Sequence, residues 1–274
     1  MTGELPSLGR AALEPGRALN GRAPISQGRL GDDLAALGVR SGQDLLVHSS
    51  LREVGWIDGG VDTLLRAIRQ VIGPAATIVV PTFTPLTSPS SRAFRNETAG
   101  LDQEAYARRV AEIIPFDPET TPSYQVGWFA EHVRKHPEAR RSVHPQTSFA
   151  ALGPGAQACT AGHDADCHLG ERSPLRWLYD ADAAILLLGV GYAECSAFHL
   201  AEYRLHGGAS VRGADLDDSD FALLGAELER DWGKHPAGPR SGFAAMARTT
   251  LVPVRTAVNF AVEWMERNRS ETAL

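Results

Sequence analysis

Residues 44–80, DLLVHSSLREVGWIDGGVDTLLRAIRQVIGPAATIVV, contain two short apolar runs with an amphipathic segment between them. The runs at 44–48 and 77–80 have the length and composition of buried strands. Between them apolar residues recur with the period of a helix, which Gly73-Pro74 ends: Val61, Leu64, Leu65, Ile68, Val71 and Ile72. A strand, a helix and a strand in this order predict a right-handed crossover within a parallel sheet.

Elements on either side extend this pattern. Leu30, Leu34 and Leu37 predict a short helix that Gly38 ends, and residues 183–189 give the strongest buried-strand signal in the chain. Residues 257–265 predict a C-terminal amphipathic helix. The stretch 81–122, rich in Pro, Ser, Thr and charge, is expected to be irregular apart from one helix around 103–114. We therefore predict an α/β fold, with an extended N-terminal arm over residues 1–27 and a single domain over 28–274.

The composition excludes several classes of protein. Lys and Arg number 27 against 33 Asp and Glu, which gives a net charge of −6 and a pI near 5.9, so we expect no nucleic-acid partner. Charges interrupt every apolar run before about 18 residues, so we expect no membrane span. Cys159, Cys167 and Cys195 form no C-x-x-C pair, and the N-terminus has no signal-peptide pattern, which favours a cytoplasmic location.

Three local patterns are poor predictors of function. Residues 189–191, Gly-Val-Gly, lack the third glycine of a dinucleotide fingerprint. His163, Cys167 and His168 lack the second ligand pair of a zinc site, so we expect no metal. No serine has the G-x-S-x-G frame of a hydrolase, although Ser49-Ser50 follows a predicted strand, and hydrolysis stays a minor alternative.

Two patterns point to chemistry, and each also has an ordinary structural explanation. His199 and Glu202 are three residues apart, so on a helix the carboxylate lies on the same face and can orient the imidazole as a general base. The spacing alone does not distinguish this pair from a surface ion pair or from a buried, hydrogen-bonded histidine. The second pattern is a set of small residues between the first predicted strand and the helix: Ser49, Ser50, Gly55, Gly59 and Gly60. Small residues there can leave backbone N–H groups free to bind an anion such as a phosphate. They are equally typical of a glycine-rich turn with serine caps.

Eight strings of sequence occur together in one known family. They are LLVHSSLREVGWIDGG (45–60), VVPTFT (79–84), PFDPETTPS (115–123), RRSVHPQTSFAALGPGA (140–156), HDADCHLGERSPL (163–175), ILLLGVGY (185–192), SAFHLAEYR (196–204) and NFAVEWME (259–266). In this order they resemble the aminoglycoside 3-N-acetyltransferases, which transfer acetyl groups from acetyl-coenzyme A to antibiotics. The resemblance implies a three-layer α/β/α sandwich around a mixed, largely parallel sheet. It also implies acetyl-coenzyme A as cosubstrate, a small-molecule amine as acceptor, and a homodimer.

The resemblance assigns roles to individual residues. It makes His199 the favoured general base, which takes the proton from the attacking amine, and Glu202 its orienting partner. His48, His163 and Glu171 are also expected in the active site. Acetyl-coenzyme A is expected in a groove formed by Ser49, Ser50, Leu51, Val54, Gly55, Pro81, Thr82, Arg141, Ser142, His144 and Ser148. Backbone N–H groups near Ser50 or Thr82 are expected to hold the thioester oxyanion.

The acceptor is where the sequence departs from the family. Aminoglycosides are polycations, yet no acid occurs between Val80 and Glu97, whereas Arg92 and Arg95 do. Residues 215–229 contain an acidic stretch that could contact a cationic acceptor: Asp215, Asp217, Asp218, Asp220, Glu227 and Glu229. The alternative is that this stretch is a solvated, partly helical surface.

Two acceptors therefore stay open. One is an aminoglycoside held by the acidic stretch. The other is an aminoalkyl phosphonate, or its nucleotide conjugate, held by Arg92, Arg95 or Arg204. A third hypothesis is a coenzyme A-binding protein without catalysis, from which the pair of His199 and Glu202 would be expected to be missing.

Overall fold

Seven strands form one sheet in the computed structural model of the chain, which describes residues 23–205 and 218–269. The strands are β1 (Leu45–Ser49), β2 (Ile78–Pro81), β3 (Arg140–Arg141), β4 (Phe149–Leu152), β5 (Ala184–Leu188), β6 (Arg240–Ala244) and β7 (Ala247–Pro253). Their order across the sheet is β3-β4-β2-β1-β5-β7-β6. β1 therefore lies at the centre, between β2 and β5.

The sheet is mixed, as predicted, but the expectation that it is largely parallel is wrong. Only β1 with β2 and β1 with β5 are parallel. The other four pairings are antiparallel: β2 with β4, β3 with β4, β5 with β7, and β6 with β7. The sequence signals identify β1, β2 and β5, because these central strands are buried on both faces and read as continuous apolar runs. The flanking hairpins lack that signal, and they contribute the antiparallel pairs.

Helices cover both faces of the sheet, which confirms the three-layer α/β/α arrangement. One face packs against α1 (Gln27–Leu37), α3 (Gly60–Ile72) and α6 (Trp128–Arg134). The other packs against α7 (Ala156–Thr160), α8 (Pro174–Asp180), α9 (Phe198–Leu205), α10 (Asp218–Trp232) and α11 (Val254–Arg269). Side chains alternate between the faces along a strand, so Leu45 and Val47 belong to the first core and Leu46 to the second.

Three short helices lie in the connections: α2 (Leu51–Val54), α4 (Arg92–Glu97) and α5 (Gln103–Ala111). α5 confirms the helix expected around 103–114, although it ends three residues earlier, and α4 was not predicted. Among the described helices, none is long and apolar enough to cross a membrane.

The predicted N-terminal boundary falls close to the start of α1. Ser26 caps this helix by accepting a hydrogen bond from the Arg29 N–H, and Gly38, at a φ of 107°, ends it. Just before the helix, Ile25 pairs with Ile57 in an isolated bridge. Residues 1–22 of the predicted arm lie outside the described part of the chain. The single domain over 28–274 stays a prediction.

The connections place several chain segments at one edge of the sheet. β1 and β5 are neighbours, but the helices that follow them, α3 and α9, cover opposite faces. Chains that diverge in this way leave a crevice at the carboxyl ends of the parallel strands. The turn 142–148 between the antiparallel β3 and β4 reaches the same edge, because Phe149 at the start of β4 pairs with Pro81 at the end of β2. This edge is where the site residues meet.

Two glycines with positive φ give a test of the packing next to β2. At Gly153, with φ of 137°, a Cβ would lie 2.5 Å from the Ala76 carbonyl oxygen, whereas at Gly42, with φ of 77°, nothing lies within 4 Å. Gly42→Ala should therefore lower the free energy of unfolding by about 1 kcal/mol through backbone strain alone. Gly153→Ala should cost clearly more, because backbone must also move. Urea denaturation of both variants measures the difference, and equal losses would contradict the close approach.

Candidate active site

His199 and Glu202 form a hydrogen-bonded pair on α9. The Nδ1 atom of His199 lies 2.6 Å from Oε2 of Glu202. The glutamate side chain is 2% exposed and the histidine side chain 19% exposed. A carboxylate only accepts, so Nδ1 carries the proton, and in the neutral ring the lone pair is on Nε2. Within the described residues Nε2 makes no hydrogen bond. This is the geometry of an oriented general base.

An aromatic side chain on α10 packs against the base. The ring of Phe221 lies 4.8 Å from that of His199, in an edge-to-face contact, and 5.3 Å from the ring of Phe198. Phe221 itself is buried. The contact places the start of α10 beside the catalytic candidate and restricts the rotation of its imidazole.

A second histidine, His48, lies next to the first at the end of β1. Its Nε2 atom is 3.2 Å from Oγ of Ser196, a residue that precedes α9 by two positions. Burial and the nearby His199 lower the pKa of His48 to about 4, so its ring is neutral at pH 7. His48 thus lies near the predicted base, because β1 and β5 are neighbouring strands.

The segment after β1 divides into a surface part and a buried part. Ser49, Ser50 and Leu51 are half-buried at the strand end, where a cosubstrate would reach them. Val54 is completely buried, and Gly55 packs against Met246 and Ile25. Val54 and Gly55 therefore have a packing role, and Ser49, Ser50 and Leu51 as groove residues stay a prediction. This division was not visible in the sequence.

The expected second wall of the groove is a buried network after β2. Thr82 Oγ1 lies 3.1 Å from Ser148 Oγ, and both residues are fully buried, as is Pro81 beside them. The Arg141 guanidinium donates to both hydroxyls and to the carbonyl oxygens of Thr82 and Thr121. Burial lowers the pKa of Arg141 to about 10, which leaves it charged at pH 7. Arg141 thus fastens the loop after β2 rather than presenting a free cation.

The N–H groups of Ser50 and Thr82 themselves are bonded within the protein. The Ser50 N–H donates to the Leu188 carbonyl at 2.9 Å, and the Thr82 N–H donates to the Ser148 carbonyl at 2.9 Å. Both bonds continue the pairing of the sheet. These two N–H groups are therefore not free to hold the oxyanion, and the expectation that another backbone N–H near Ser50 or Thr82 does so stays a prediction.

Ser142, His144 and His163 form a buried cluster beneath the turn 142–148. Nε2–H of His163 donates to the His168 carbonyl at 2.7 Å, so Nδ1 accepts from the Ser142 hydroxyl at 2.9 Å. The Nδ1 atom of His144 accepts from the backbone N–H groups of Gln146 and Thr147. Burial lowers the pKa of His144 to about 3 and that of His163 to about 4.

This cluster closes the turn and is structural. His163 is 0% exposed and both its ring nitrogens are used, so the geometry does not support the expected contact with the acceptor amine. Across residues 23–205 and 218–269, no group of three or more His, Cys, Asp or Glu side chains is arranged to hold a metal ion. His163, Cys167 and His168 are thus not brought together as ligands.

Glu171 and Arg204, expected to serve catalysis and substrate binding, instead bind each other. The Arg204 Nε donates to Glu171 Oε1 at 2.7 Å, and its guanidinium stacks 3.9 Å from the ring centre of Tyr179. Arg176 binds the other carboxylate oxygen. Burial acts to raise the pKa of Glu171, but the hydrogen bonds from the two arginines outweigh it and lower the pKa. Glu171, which precedes α8, thus links Arg176 of α8 to Arg204 of α9.

The remaining substrate candidates lie away from direct contact with the base. Arg92 and Arg95 are exposed on α4, and Arg95 donates to the Ser90 carbonyl at 2.9 Å. Glu227 lies on α10, 3.5 Å from Arg230. None of these side chains forms a hydrogen bond or an ion pair with His199 or Glu202 in the described part of the chain. Asp215 and Asp217 lie outside the described residues, and the side chain of Asp218 is not described.

Two site residues were missed in the sequence. Ser196, whose hydroxyl contacts His48, precedes His199 by three positions. This spacing places Ser196 one turn before His199. Phe221 belongs to the apolar stripe Phe221, Leu224 and Leu228 on α10. The stripe is visible in the sequence as a helical period, but it does not indicate which helix it meets.

The mixed α/β sheet carries an oriented, partly exposed imidazole at the carboxyl edge of its parallel strands, an arrangement that suits an acyltransferase with a general base. A family model described as aminoglycoside 3-N-acetyltransferase matches residues 46–266, and the chain belongs to this family.

Individual relatives cover nearly the whole chain. The YokD protein of Bacillus subtilis strain 168, an aminoglycoside N(3')-acetyltransferase-like protein, is 30% identical over 90% of this chain and 95% of its own. Aminoglycoside N(3)-acetyltransferase VII of Streptomyces paromomycinus is 32% identical over 89% of this chain and 92% of its own.

Solved structures agree with the fold. The crystal structure of YokD superposes with a TM-score of 0.81 at 28% identity, covering 92% of this chain and 97% of that one. The binary complex of AAC-IIIb with CoASH superposes with a TM-score of 0.73 at 26% identity, covering 89% of this chain and 97% of that one. The chain is an acetyl-coenzyme A-dependent N-acetyltransferase that acts on a small-molecule amine. The hypothesis of a coenzyme A-binding protein without catalysis is thereby rejected.

We expect His199→Ala to lower kcat by about 10²–10⁴-fold, the usual contribution of a general base. Binding of CoASH should stay within about twofold by isothermal titration, because the imidazole acts on the amine. Glu202→Gln should give a smaller loss, since an amide oxygen still accepts from Nδ1 but no longer stabilises the imidazolium. Unchanged turnover of His199→Ala would overturn its assignment as the base.

The buried histidines predict that acid destabilises the fold. Below pH 6.5, the ordinary pKa of histidine, the unfolded chain binds protons at His48, His144 and His163, whereas the folded chain does not do so until about pH 4 or below. The free energy of unfolding should therefore fall as the pH drops from 6.5 towards 4, by about 3 kcal/mol for each histidine shifted this far. Urea denaturation at several pH values measures the slope. His163→Gln should make it shallower, and stability independent of pH would contradict the prediction.

Proposed function

We propose that the acceptor is an aminoglycoside, acetylated on its 3-amino group. The observation that carries this proposal is the contact between Phe221 and His199, because it places the acid-bearing helix α10 against the base. Family membership and the relatives named as aminoglycoside N(3)-acetyltransferases support it.

Two acids of α10 lie on the same face of this helix. Asp220 precedes Phe221, and Glu227 is seven residues further on, so the two lie on the same face of the helix beside the buried stripe. Glu229 is directed towards β6 and β7, since its carboxylate accepts from the Ser241 hydroxyl at 2.9 Å and lies 3.5 Å from Arg248, whereas Glu227 lies 3.5 Å from Arg230 on its own helix. Two carboxylates on one face suit an acceptor that carries several ammonium groups.

The arginines required by an anionic acceptor are less well placed. Arg204 is held by Glu171 and stacks on Tyr179, so its charge is already compensated. Arg92 and Arg95 lie on α4, and their described hydrogen bonds do not involve α9 or α10. These positions favour a cationic acceptor over a phosphonate.

The chemistry that the residues perform begins with the acceptor amine. His199 Nε2 takes a proton from the amine as its nitrogen bonds to the acetyl carbonyl carbon, and the Glu202 carboxylate stabilises the imidazolium that forms. When the tetrahedral intermediate collapses, the carbon–sulfur bond breaks and His199 returns the proton to the departing thiolate. The products are the N-acetyl amine and free CoASH, and no acyl-enzyme is formed.

Two further features of the protein belong to the same proposal. A cytoplasmic location is proposed because acetyl-coenzyme A is a cytoplasmic metabolite and the three cysteines are free thiols in the structure. A homodimer is proposed from the family resemblance. Light scattering after gel filtration should give twice the chain mass of 29.4 kDa, and a single chain mass would reject the dimer.

The acceptor is tested by thiol release from acetyl-coenzyme A with kanamycin, gentamicin, a simple aminoalkyl phosphonate and its nucleotide conjugate, with and without enzyme. We expect turnover with the aminoglycosides. Turnover with only the phosphonates would overturn the proposal and place Arg92 and Arg95 in the acceptor site. Mass spectrometry with fragmentation of the product identifies the acetylated amine.

Charge variants test the position of the acceptor. Asp220→Asn and Glu227→Gln should each raise the KM for the aminoglycoside by about tenfold, equivalent to about 1.4 kcal/mol, while the KM for acetyl-coenzyme A stays constant. Glu229→Gln on the same helix is the matched control, since its carboxylate faces Ser241 and Arg248. The double variant Arg92→Ala, Arg95→Ala should leave aminoglycoside binding unchanged. Equal effects of all these variants would reject α10 as the acceptor surface.

A further inference from the structure

His48 has one ring nitrogen that the protein leaves open. Nε2 lies 3.2 Å from the Ser196 hydroxyl. Nδ1 forms no hydrogen bond with any described residue, and His48 as a whole is 7% exposed.

The position of the proton on His48 follows from its partner. The side chain of Ser196 is 95% buried, and His48 is the partner of its hydroxyl in the structure. If Nε2 carried the proton, it would donate to the serine and leave the buried hydroxyl hydrogen without an acceptor, which is costly. If the hydroxyl donates to Nε2 instead, every buried donor is satisfied. The neutral ring then carries its proton on Nδ1, the open nitrogen.

The side chains of His48 and His199 lie near each other at the carboxyl edge of the parallel strands. His48 lies on β1 opposite Leu187 of β5, and the chain leads from β5 through Ser196 to His199. The two rings are close enough for a charge on His199 to lower the pKa of His48. Within the described residues His199 thus offers an acceptor nitrogen and His48 an N–H that form no hydrogen bond, while the N–H groups of Ser50 and Thr82 are bonded elsewhere.

We propose that His48 is a catalytic residue whose Nδ1–H donates to the carbonyl oxygen of the acetyl thioester, and that Ser196 is a positioning residue that fixes the proton on Nδ1. The proposal deepens the function of the acetyl-transfer site and rests on the acetyltransferase activity rather than on the identity of the acceptor.

The electron movement is balanced without any other reactant. As the amine nitrogen bonds to the carbonyl carbon, the carbon–oxygen π pair moves onto oxygen, where Nδ1–H of His48 stabilises the negative charge. The pair returns as the carbon–sulfur bond breaks, and His48 ends in its starting state. A neutral imidazole suits this task, because it stabilises the charge without transferring its proton, and burial keeps it neutral.

Two isosteric variants separate the donor from the structural contact. The amide nitrogen of an asparagine lies near the Nδ1 position of histidine, and that of a glutamine near the Nε2 position. We expect His48→Asn to retain most of kcat, and His48→Gln to lose about 10²–10³-fold, the usual effect of removing one oxyanion donor. The KM for acetyl-coenzyme A and the Kd of CoASH should change little in both. If glutamine is the better replacement, the contact with Ser196 is what matters and the proposal fails.

Ser196 variants test the positioning step. Ser196→Ala removes the donor to Nε2, so the ring is free to carry its proton on either nitrogen, and kcat should fall by about tenfold. Ser196→Thr keeps the hydroxyl and should restore the rate. A loss that threonine does not restore would assign Ser196 a packing role only and reject it as a positioning residue.

A direct readout is independent of the acceptor. The carbonyl stretch of bound acetyl-coenzyme A, labelled with ¹³C at the carbonyl, should shift to lower frequency in the wild-type enzyme and in His48→Asn, and less in His48→Gln. The same stretch in all three would overturn the hydrogen bond. If the wild-type enzyme acetylates none of the amines in the panel, the acceptor proposal fails, while the infrared measurement still tests His48. Circular dichroism and CoASH binding confirm that each variant is folded.

Discussion

The parallel pairing of β1 with β5 is the constraint on which the site depends. Five residue pairs connect these strands at the centre of the sheet, from Leu45 with Ala184 to Ser49 with Leu188. The register sets His48 beside Leu187, and the turn after β5 then brings Ser196 to the His48 ring. Because side chains alternate along a strand, a shift of one residue would turn His48 towards α3 and away from α9. The two histidines are neighbours only in this register.

Sequence reasoning predicted the parts whose signals are local. The central strands and α3 are visible as apolar runs and a helical period, and the spacing of His199 and Glu202 on α9 is enough to bring the side chains together. The strands β3, β4, β6 and β7 were missed, because they are short or partly exposed. Their stability depends on pairing with other strands, which a local sequence pattern does not reveal. The largely parallel sheet was wrong for this reason.

The resemblance to a family identified which segments gather at the site, but the structure decides what each side chain does there. Arg141, His144 and His163 come from strings expected to contact ligands, and all three are used to hold loops together. A family motif indicates which positions the protein requires. It does not distinguish a residue that contacts the substrate from one that holds neighbouring loops in place. Glu171 and Arg204 make the same point, because each satisfies the charge that the other was expected to offer to a ligand.

The contact between α10 and the base has a consequence for how this enzyme can change. The base, its glutamate and His48 are carried by α9 and β1 within the packed core, whereas the acids proposed to contact the acceptor, Asp220 and Glu227, are half-buried on α10. Substitutions of these two acids leave the apolar side chains of Phe221, Leu224 and Leu228 in place. Selection for a new antibiotic can therefore act on α10 while the acetyl-transfer machinery stays as it is, so resistance profiles can diverge faster than the reaction itself.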